Sequence, residues 1–399
     1  MKPLCILAAI GFLLLGFMIG CSVDDDKNQS DSSGKNNEPK TYFNPNLEGF
    51  AAGSTAFRYY DGHWAYEDIE QDALPIKGLH FYGRDDGYAA GNSRILRFDG
   101  QWSDITPGSA SGYQFVRCLG SLPTVYFLGQ KEKGVDSVLL SYGRNDGQWQ
   151  SFNPNTYFGR DDALIQDIAY TVNSGILMLV TWENESHLLY YQGGLQTQTI
   201  ATASQNAITL LHSLGAVDNG SGFEVWAGGE LIINFESPEP DKSAVLYTRS
   251  QNSWQRFQTD DRWVYNDVER IVFTSPSRAY MSVRGIHSHS LKFVDGQWVE
   301  ESLPQFKGET FLLADYSFID NYLGWAVGYS SQFDEPVMMI HSESGWQAAR
   351  PPDNYRETGD KLFAVAMYPT PQISMDDDDD DDNNDDNDDN DTEDQASSK

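Results

Sequence analysis

The sequence predicts an all-β chain assembled from seven copies of one four-stranded antiparallel unit, and three observations carry that expectation. The first is self-similarity: Gly49-Phe50-Ala51-Ala52-Gly53 followed by Tyr59-Tyr60-Asp61-Gly62-His63-Trp64 matches Gly87-Tyr88-Ala89-Ala90-Gly91 followed by Arg97-Phe98-Asp99-Gly100-Gln101-Trp102. The second is period: the unit recurs from Trp64 to Trp346 with a mean spacing of 47 residues, the range of a small supersecondary repeat. The third is composition: 13% aromatic residues, 35 Gly and 16 Pro favour short strands punctuated by turns. A length of 399 residues accommodates two or three average domains or one large all-β domain.

At the amino end, Lys2 precedes an apolar run from Leu4 to Ile19, the length of a signal-peptide core and shorter than a typical membrane span. The segment Leu15-Gly16-Phe17-Met18-Ile19-Gly20-Cys21 resembles the bacterial lipobox, with Met18 where Leu is usual. That resemblance implies removal of residues 1–20 and acylation of Cys21 by two or three chains, which anchor a protein stably where one chain does not. A plain secretory signal or an uncleaved membrane anchor is the alternative. Cys5 lies in the discarded segment, so Cys118 remains as the single thiol and no intramolecular disulfide is expected. Its setting, Phe115-Val116-Arg117-Cys118-Leu119, reads as a buried thiol. Residues 21–45, polar to about Lys40, read as a disordered tether. Ser22 after the Cys resembles lipoproteins sent to the outer membrane, and Asp24-Asp25-Asp26 resembles a surface-export tag, with an ordinary solvated linker as the alternative.

Residues 46–371 carry the repeats. Weaker copies end at Trp149, at Tyr191-Gln192-Gly193-Gly194-Leu195 where the Trp is replaced, and at Trp254, Trp298 and Trp346. Within a unit, a short apolar stretch such as Trp325-Ala326-Val327-Gly328 reads as a buried strand. An alternating segment such as Ser290-Leu291-Lys292-Phe293-Val294 follows, and Asp295-Gly296 supplies a tight hairpin. The Trp then opens a polar fourth strand, as in Trp298-Val299-Glu300-Glu301, suited to an exposed edge. An apolar segment such as Val268-Glu269-Arg270-Ile271-Val272-Phe273 supplies the first strand. Four antiparallel strands in about 40–50 residues is the blade of a β-propeller. The chain starts at a second strand near Phe50, and Leu362-Phe363-Ala364-Val365-Ala366-Met367-Tyr368 resembles the missing first strand. Seven blades therefore require the last strand to join the amino-terminal three and close the ring. The rival count is six, with the Trp-less copy near Leu195 as an insertion.

The Gly-Trp-Ala-Val-Gly strand and the Asp-Gly-x-Trp turn resemble the propellers of photosystem II assembly factors and of BNR or Asp-box proteins, sialidases among them. The likeness spans about Asn46 to Pro371. These copies lack the Ser before Asp and the Thr before Trp of the full Asp-box, and the WD40 signature and a regularly repeated kelch double Gly are missing too.

Residues 372–399 form an Asp-rich tail, with thirteen Asp and one Glu between Asp376 and Asp394, that reads as disordered and solvating. Its spacing does not fit an EF-hand, so no cofactor is expected beyond a weak association with Ca2+. The formal charge of −32 argues against a nucleic-acid partner.

The search for chemistry finds scattered candidates. A sialidase needs clustered Arg, a Tyr–Glu nucleophile pair and an acid; Arg117, Arg270 and Arg284 lie on expected strands and face a channel if the ring closes, or serve structure. His287-Ser288-His289 offers half a metal site or an exposed loop. No nucleophile elbow, phosphate-binding Gly loop or His-Glu-x-x-His motif occurs. The inter-blade connections place aromatics beside Arg and Asp: Tyr157, Arg160 and Asp161; Arg262, Trp263 and Tyr265; Tyr355 and Arg356. Such groups suit sugars or peptides, or else pack beneath their own loops. The stretch from Gly228 to Ser243 is expected as a long loop walling the site. The sequence thus points to a monomeric, lipid-anchored propeller of the cell envelope at the outer membrane, facing the periplasm or the surface. Its expected role is binding or assembly with a protein or glycan partner, with a sialidase-like glycoside hydrolase as the alternative.

Overall fold

The computed structural model describes residues 47–369, apart from 192–193, 203, 205, 221, 251–252, 258–264, 287, 307–310, 331–334, 350, 353–354 and 356–358. Among the described residues the chain forms seven four-stranded antiparallel sheets. Blade 1 is composite, in the order Leu362–Pro369, Leu47–Gly53, Ala56–Tyr60, His63–Tyr66. The other first strands are Ile76–Gly83, Gln114–Gly120, Leu164–Thr171, Ala207–Asp218, Asp267–Ser275 and Phe311–Phe318, opening blades 2 to 7 in turn. Each lies against the first strand of the next blade, and Leu362–Pro369 lies against both Ile76–Gly83 and Phe311–Phe318. The ring is therefore closed through the last strand, as the sequence predicts. The Trp-less copy is a complete blade 4, from Leu164–Thr171 to Leu195–Ala201, which rules out the six-bladed count.

Local chemistry explains the units. Asp61-Gly62 and Asp295-Gly296 both adopt positive φ, 48° and 80° in the first and 52° and 79° in the second, as a two-residue hairpin twisting with its strands requires. The core lies in seven clefts between adjacent blades. Between blades 1 and 2, Phe50 stacks on Phe81 at 4.4 Å, and Trp102 meets Phe50 edge-on at 5.6 Å. Neighbouring sheets thus bury each other's faces, which no single blade achieves alone. Cys118 is buried between blades 2 and 3, and burial pushes its thiol up, away from the reactive range. The expected long loop at Gly228–Ser243 is shorter. Strands Phe223–Ile233 and Asp241–Ser250 pair out to Ile233 and Asp241, leaving residues 234–240 as the loop.

Candidate functional site

Every first strand carries a register shift near its start, at Ile76/Gly78, Phe115/Arg117, Ile165/Asp167, Leu211/Ser213, Val268/Arg270 and Leu313/Asp315, and between Leu362 and Ala364 in blade 1. A bulge turns the strand and re-aims the side chain that follows it. The residues after the seven bulges are Gly78, Arg117, Asp167, Ser213, Arg270, Asp315 and Ala364, and four of them meet across the axis of the ring. Arg117 Nε donates to Asp167 Oδ1 over 2.9 Å, and its Nη1 lies 3.7 Å from Asp315 Oδ1. Arg270 Nε donates to Asp315 Oδ1 over 2.9 Å, and its Nη1 lies 3.6 Å from Asp167 Oδ2. Each cation therefore meets both anions. The remaining oxygens are met by backbone: Leu214 N–H donates to Asp167 Oδ2 over 2.8 Å, and Val365 N–H to Asp315 Oδ2 over 3.2 Å.

This quartet joins side chains of blades 3, 4, 6 and 7 to amides of blades 5 and 1. Blade 2 contributes bare backbone: a Cβ at Gly78 would stand 2.3 Å from the Cys118 nitrogen. Both carboxylates are buried and the arginines nearly so. Two positive and two negative groups with their hydrogen bonds satisfied are the condition on which charges persist inside a protein. Burial nevertheless pushes the Asp315 carboxyl up to about 6, against the pull of Arg117 and the Val365 and Tyr316 amides.

A second charged cluster surrounds the starts of the first strands of blades 5 and 6. His212 Nε2 lies 3.1 Å from Asp267 Oδ1, and Arg284 Nη2 is 2.9 Å from Asp267 Oδ2. Arg284 Nη1 is 3.4 Å from Glu269 Oε1, while Ser288 Oγ donates to Glu269 Oε2 over 3.2 Å. Burial opposes a charge on His212, but the hydrogen bond and charge of Asp267, aided by Glu230 and Glu269, raise its pKa. Burial raises Glu269 despite Arg284. Of the three arginines expected to face the channel, Arg117 and Arg270 converge on its axis, whereas Arg284 belongs to this separate cluster.

The loop residues lie apart from the axis. In the connection from blade 3 to blade 4, the helix Pro154–Phe158 is capped by Asn153, whose side chain accepts the Thr156 N–H at 2.9 Å, and ends at Gly159 with φ 66°. Tyr157 projects from it, 57% exposed. Arg160 Nε donates to Asp162 over 2.8 Å, and the guanidinium also holds Glu183 on the next loop of blade 4. Asp161 is exposed beside them. Tyr265 is buried, its hydroxyl donating to Glu300 over 2.9 Å. Tyr355 packs edge-on against Phe57 at 5.7 Å and donates to Asp360 over 3.2 Å. Cys21, Arg262, Trp263, Arg356, His287 and the acidic tail lie outside the described residues. The described loop residues belong to the connections into blades 4, 6 and 1, so they are spread around one face. Of the three described tyrosines, Tyr157 presents its ring to solvent, while Tyr265 and Tyr355 are held by their own surroundings.

Sequence reasoning singled out the two axial arginines and missed their partners, Asp167 and Asp315. The signal was available in the seven first strands aligned on their apolar residues. Ile76-Lys77-Gly78-Leu79, Phe115-Val116-Arg117-Cys118, Ile165-Gln166-Asp167-Ile168, Leu211-His212-Ser213-Leu214, Val268-Glu269-Arg270-Ile271, Leu313-Ala314-Asp315-Tyr316 and Leu362-Phe363-Ala364-Val365 put Gly, Arg, Asp, Ser, Arg, Asp and Ala in one column.

No family model and no curated protein matches the sequence. Among solved structures, the chain is similar to a protein from Lactobacillus plantarum, at 11% identity and a TM-score of 0.50, over 81% of this chain and 99% of that one. It is also similar to YCF48 from Cyanidioschyzon merolae, at 14% identity and a TM-score of 0.47, over 79% of this chain and 94% of that one. A third similarity is to the β-propeller domain of the Trilobed protease from Pyrococcus furiosus, at 8% identity and a TM-score of 0.48, over 75% and 88%. At such identities a likeness bears on the fold alone, and one scaffold of this kind hosts unrelated activities.

Proposed function

We propose that this chain is a lipid-anchored binding module of the cell envelope, held at the outer membrane through Cys21, with the propeller presenting its surface to a protein or glycan partner. The observation that favours binding over hydrolysis is the state of the axial arginines. Arg117 and Arg270 are each already engaged by Asp167 and Asp315, so the cations at the axis are neutralised by the ring itself. A hydrolase that grips an anionic sugar needs those cations facing its substrate. Here they brace opposite blades, and recognition falls to the loop face and the clefts between blades.

The test is affinity capture with the membrane-anchored protein from envelope extracts, run beside a Cys21→Ala variant. The expected result is a defined envelope partner retained by the anchored form, with Cys21→Ala released to the soluble fraction. Turnover of fluorogenic glycosides that Arg117→Met abolishes in a folded protein would instead establish the hydrolase.

A further inference from the structure

Six of the seven clefts are wedged by an indole from the start of a fourth strand. In strand register, Trp64, Trp102, Trp149, Trp254, Trp298 and Trp346 stand opposite Tyr59, Phe98, Tyr142, Arg249, Phe293 and His341. Each joins the cluster it shares with the preceding blade, where an aromatic of that blade's second strand often awaits it. Trp325 meets Trp64 at 5.0 Å, Phe50 meets Trp102 at 5.6 Å, Trp226 meets Trp298 at 5.5 Å and Tyr280 meets Trp346 at 6.3 Å. Blade 4 breaks the pattern. Its residue in that register, opposite Tyr191, is Leu195, while the second-strand aromatic of blade 3, Tyr126, is present as usual.

Trp182 packs against the core of this cleft elsewhere, but where the fourth-strand indole is missing the cleft is open. A groove of about 840 Å³ lies between blades 3 and 4, and both Tyr126 and Leu195 line it. That volume falls within the usual range of small-ligand sites. The lining differs from the rest of this strongly acidic protein: Ser141, Asn145, Gln150 and Asn173 face the groove, and among the described residues Asp146 is its one side chain of the Asp, Glu, Lys, Arg and His set. Asp146 is already occupied, its Oδ1 accepting the Gln148 N–H at 3.0 Å. Among the described residues, the side chains of Ser141, Asn145 and Gln150 make no hydrogen bond with the protein, so their donors and acceptors are open to a ligand.

We propose that this groove binds a neutral oligosaccharide. The inference rests on the reading of the chain as a binding module and names its ligand class. Amide and hydroxyl groups both donate and accept, as sugar hydroxyls do, and the Tyr126 ring supplies a flat apolar surface for the C–H face of a pyranose. A net charge of −32 repels anionic ligands, and a single engaged carboxylate gives a cation little to bind. An uncharged, polyhydroxylated chain is the ligand that meets every part of this lining.

The experiment restores the missing wedge. The full chain, its Leu195→Trp and Tyr126→Ala variants, and an Asn145→Ala/Gln150→Ala double variant are titrated against neutral gluco-, manno-, galacto- and N-acetylglucosamine oligomers. Oligogalacturonate and a random peptide pool serve as controls. The expected result is binding of at least one neutral series by the parent protein, weakened tenfold or more by Leu195→Trp and by Tyr126→Ala. Leu195→Trp should melt no lower than the parent. The double variant changes exposed side chains only, so it should weaken binding about fivefold with folding intact, which keeps the test sound if Leu195→Trp misfolds. Retention of peptides or oligogalacturonate in place of neutral sugars, no retention of any neutral series at millimolar concentration, or equal binding by the double variant overturns the inference. Envelope capture by the anchored protein reports separately: a partner held equally by parent and Leu195→Trp, beside a negative sugar titration, removes the groove and leaves the binding module.

Discussion

Tyr368 donates its phenolic hydrogen to Glu48 Oε2 over 3.2 Å, joining residues 320 positions apart in the chain, with the Arg84 carbonyl of blade 2 at 3.3 Å. The two residues face each other in the register of the composite blade. Arg58 and Arg84 lie 3.7 and 3.5 Å from the same carboxylate. One buried glutamate thus ties the first strand of the chain, the last strand and the neighbouring blade.

Removing the clasp should open the ring. A chain ending before Leu362 exposes the inner edge of Leu47–Gly53 and one face each of blades 2 and 7, and it is expected to lose its single cooperative thermal transition. Limited proteolysis should then cut blade 1 first. The subtler Tyr368→Phe keeps the ring and costs about 1 kcal/mol, read from urea unfolding.

The axial quartet gives a sharper prediction. Arg270→Met leaves Asp315 facing Arg117 alone across 3.7 Å and should destabilise the fold by about 3–5 kcal/mol, the usual consequence of stranding a buried charge. Arg270→Met/Asp315→Leu keeps the neutral Arg117–Asp167 pair, so it should recover most of that loss. A double variant no more stable than the single one would show that the quartet does not act as a unit.

Acidification should act through two histidines. Burial, reinforced by Arg144, holds His80 down to about 4, and burial reinforced by Arg160 does the same to His187, against the pull of Glu183. Below the unfolded value of 6.5 the unfolded chain takes up these protons before the folded one, so stability falls as pH drops from 6.5 towards 4. At pH 5 the loss is about 2 kcal/mol per site. Asp315, raised to about 6, works oppositely, because the folded state binds its proton first between 6 and 3.8. Unfolding measured from pH 7 to 4.5 should therefore show a shallower decline in His80→Gln and His187→Gln, and a steeper one in Asp315→Asn.

The indole wedges should be costly to remove. Trp346 is buried, and its ring nitrogen donates to Glu301 Oε2 over 2.9 Å. Trp346→Ala is expected to lose about 3–5 kcal/mol, with Trp346→Phe retaining part of it. Chemical denaturation of both variants checks the order.

How far the sequence could be read depends on the distance over which each feature is encoded. The hairpin at Asp295-Gly296, the apolar second strands and the returning strand at Leu362–Pro369 are local patterns, legible because the same physics is repeated seven times. The loop residues were legible only as types: Tyr157 and Tyr265 look alike in sequence, and tertiary packing exposes one and buries the other beneath Glu300. Leu195 was visible as a lapse in the repeat. That the lapse opens a groove became apparent only once blades 3 and 4 stood side by side.

By itself, the sequence determined the unit and the manner of closure, because strand periodicity and turn chemistry act within a few residues of each other; that the Trp-less copy is a full blade, making seven rather than six, was decided by the structure. The tertiary structure alone decided which charges meet. Arg117, Asp167, Arg270 and Asp315 come from four blades, and nothing local links a bulge in one strand to a bulge 50 or 45 residues on. They converge because a closed ring aims equivalent positions at a common axis, where low dielectric makes only a neutral, hydrogen-bonded set stable.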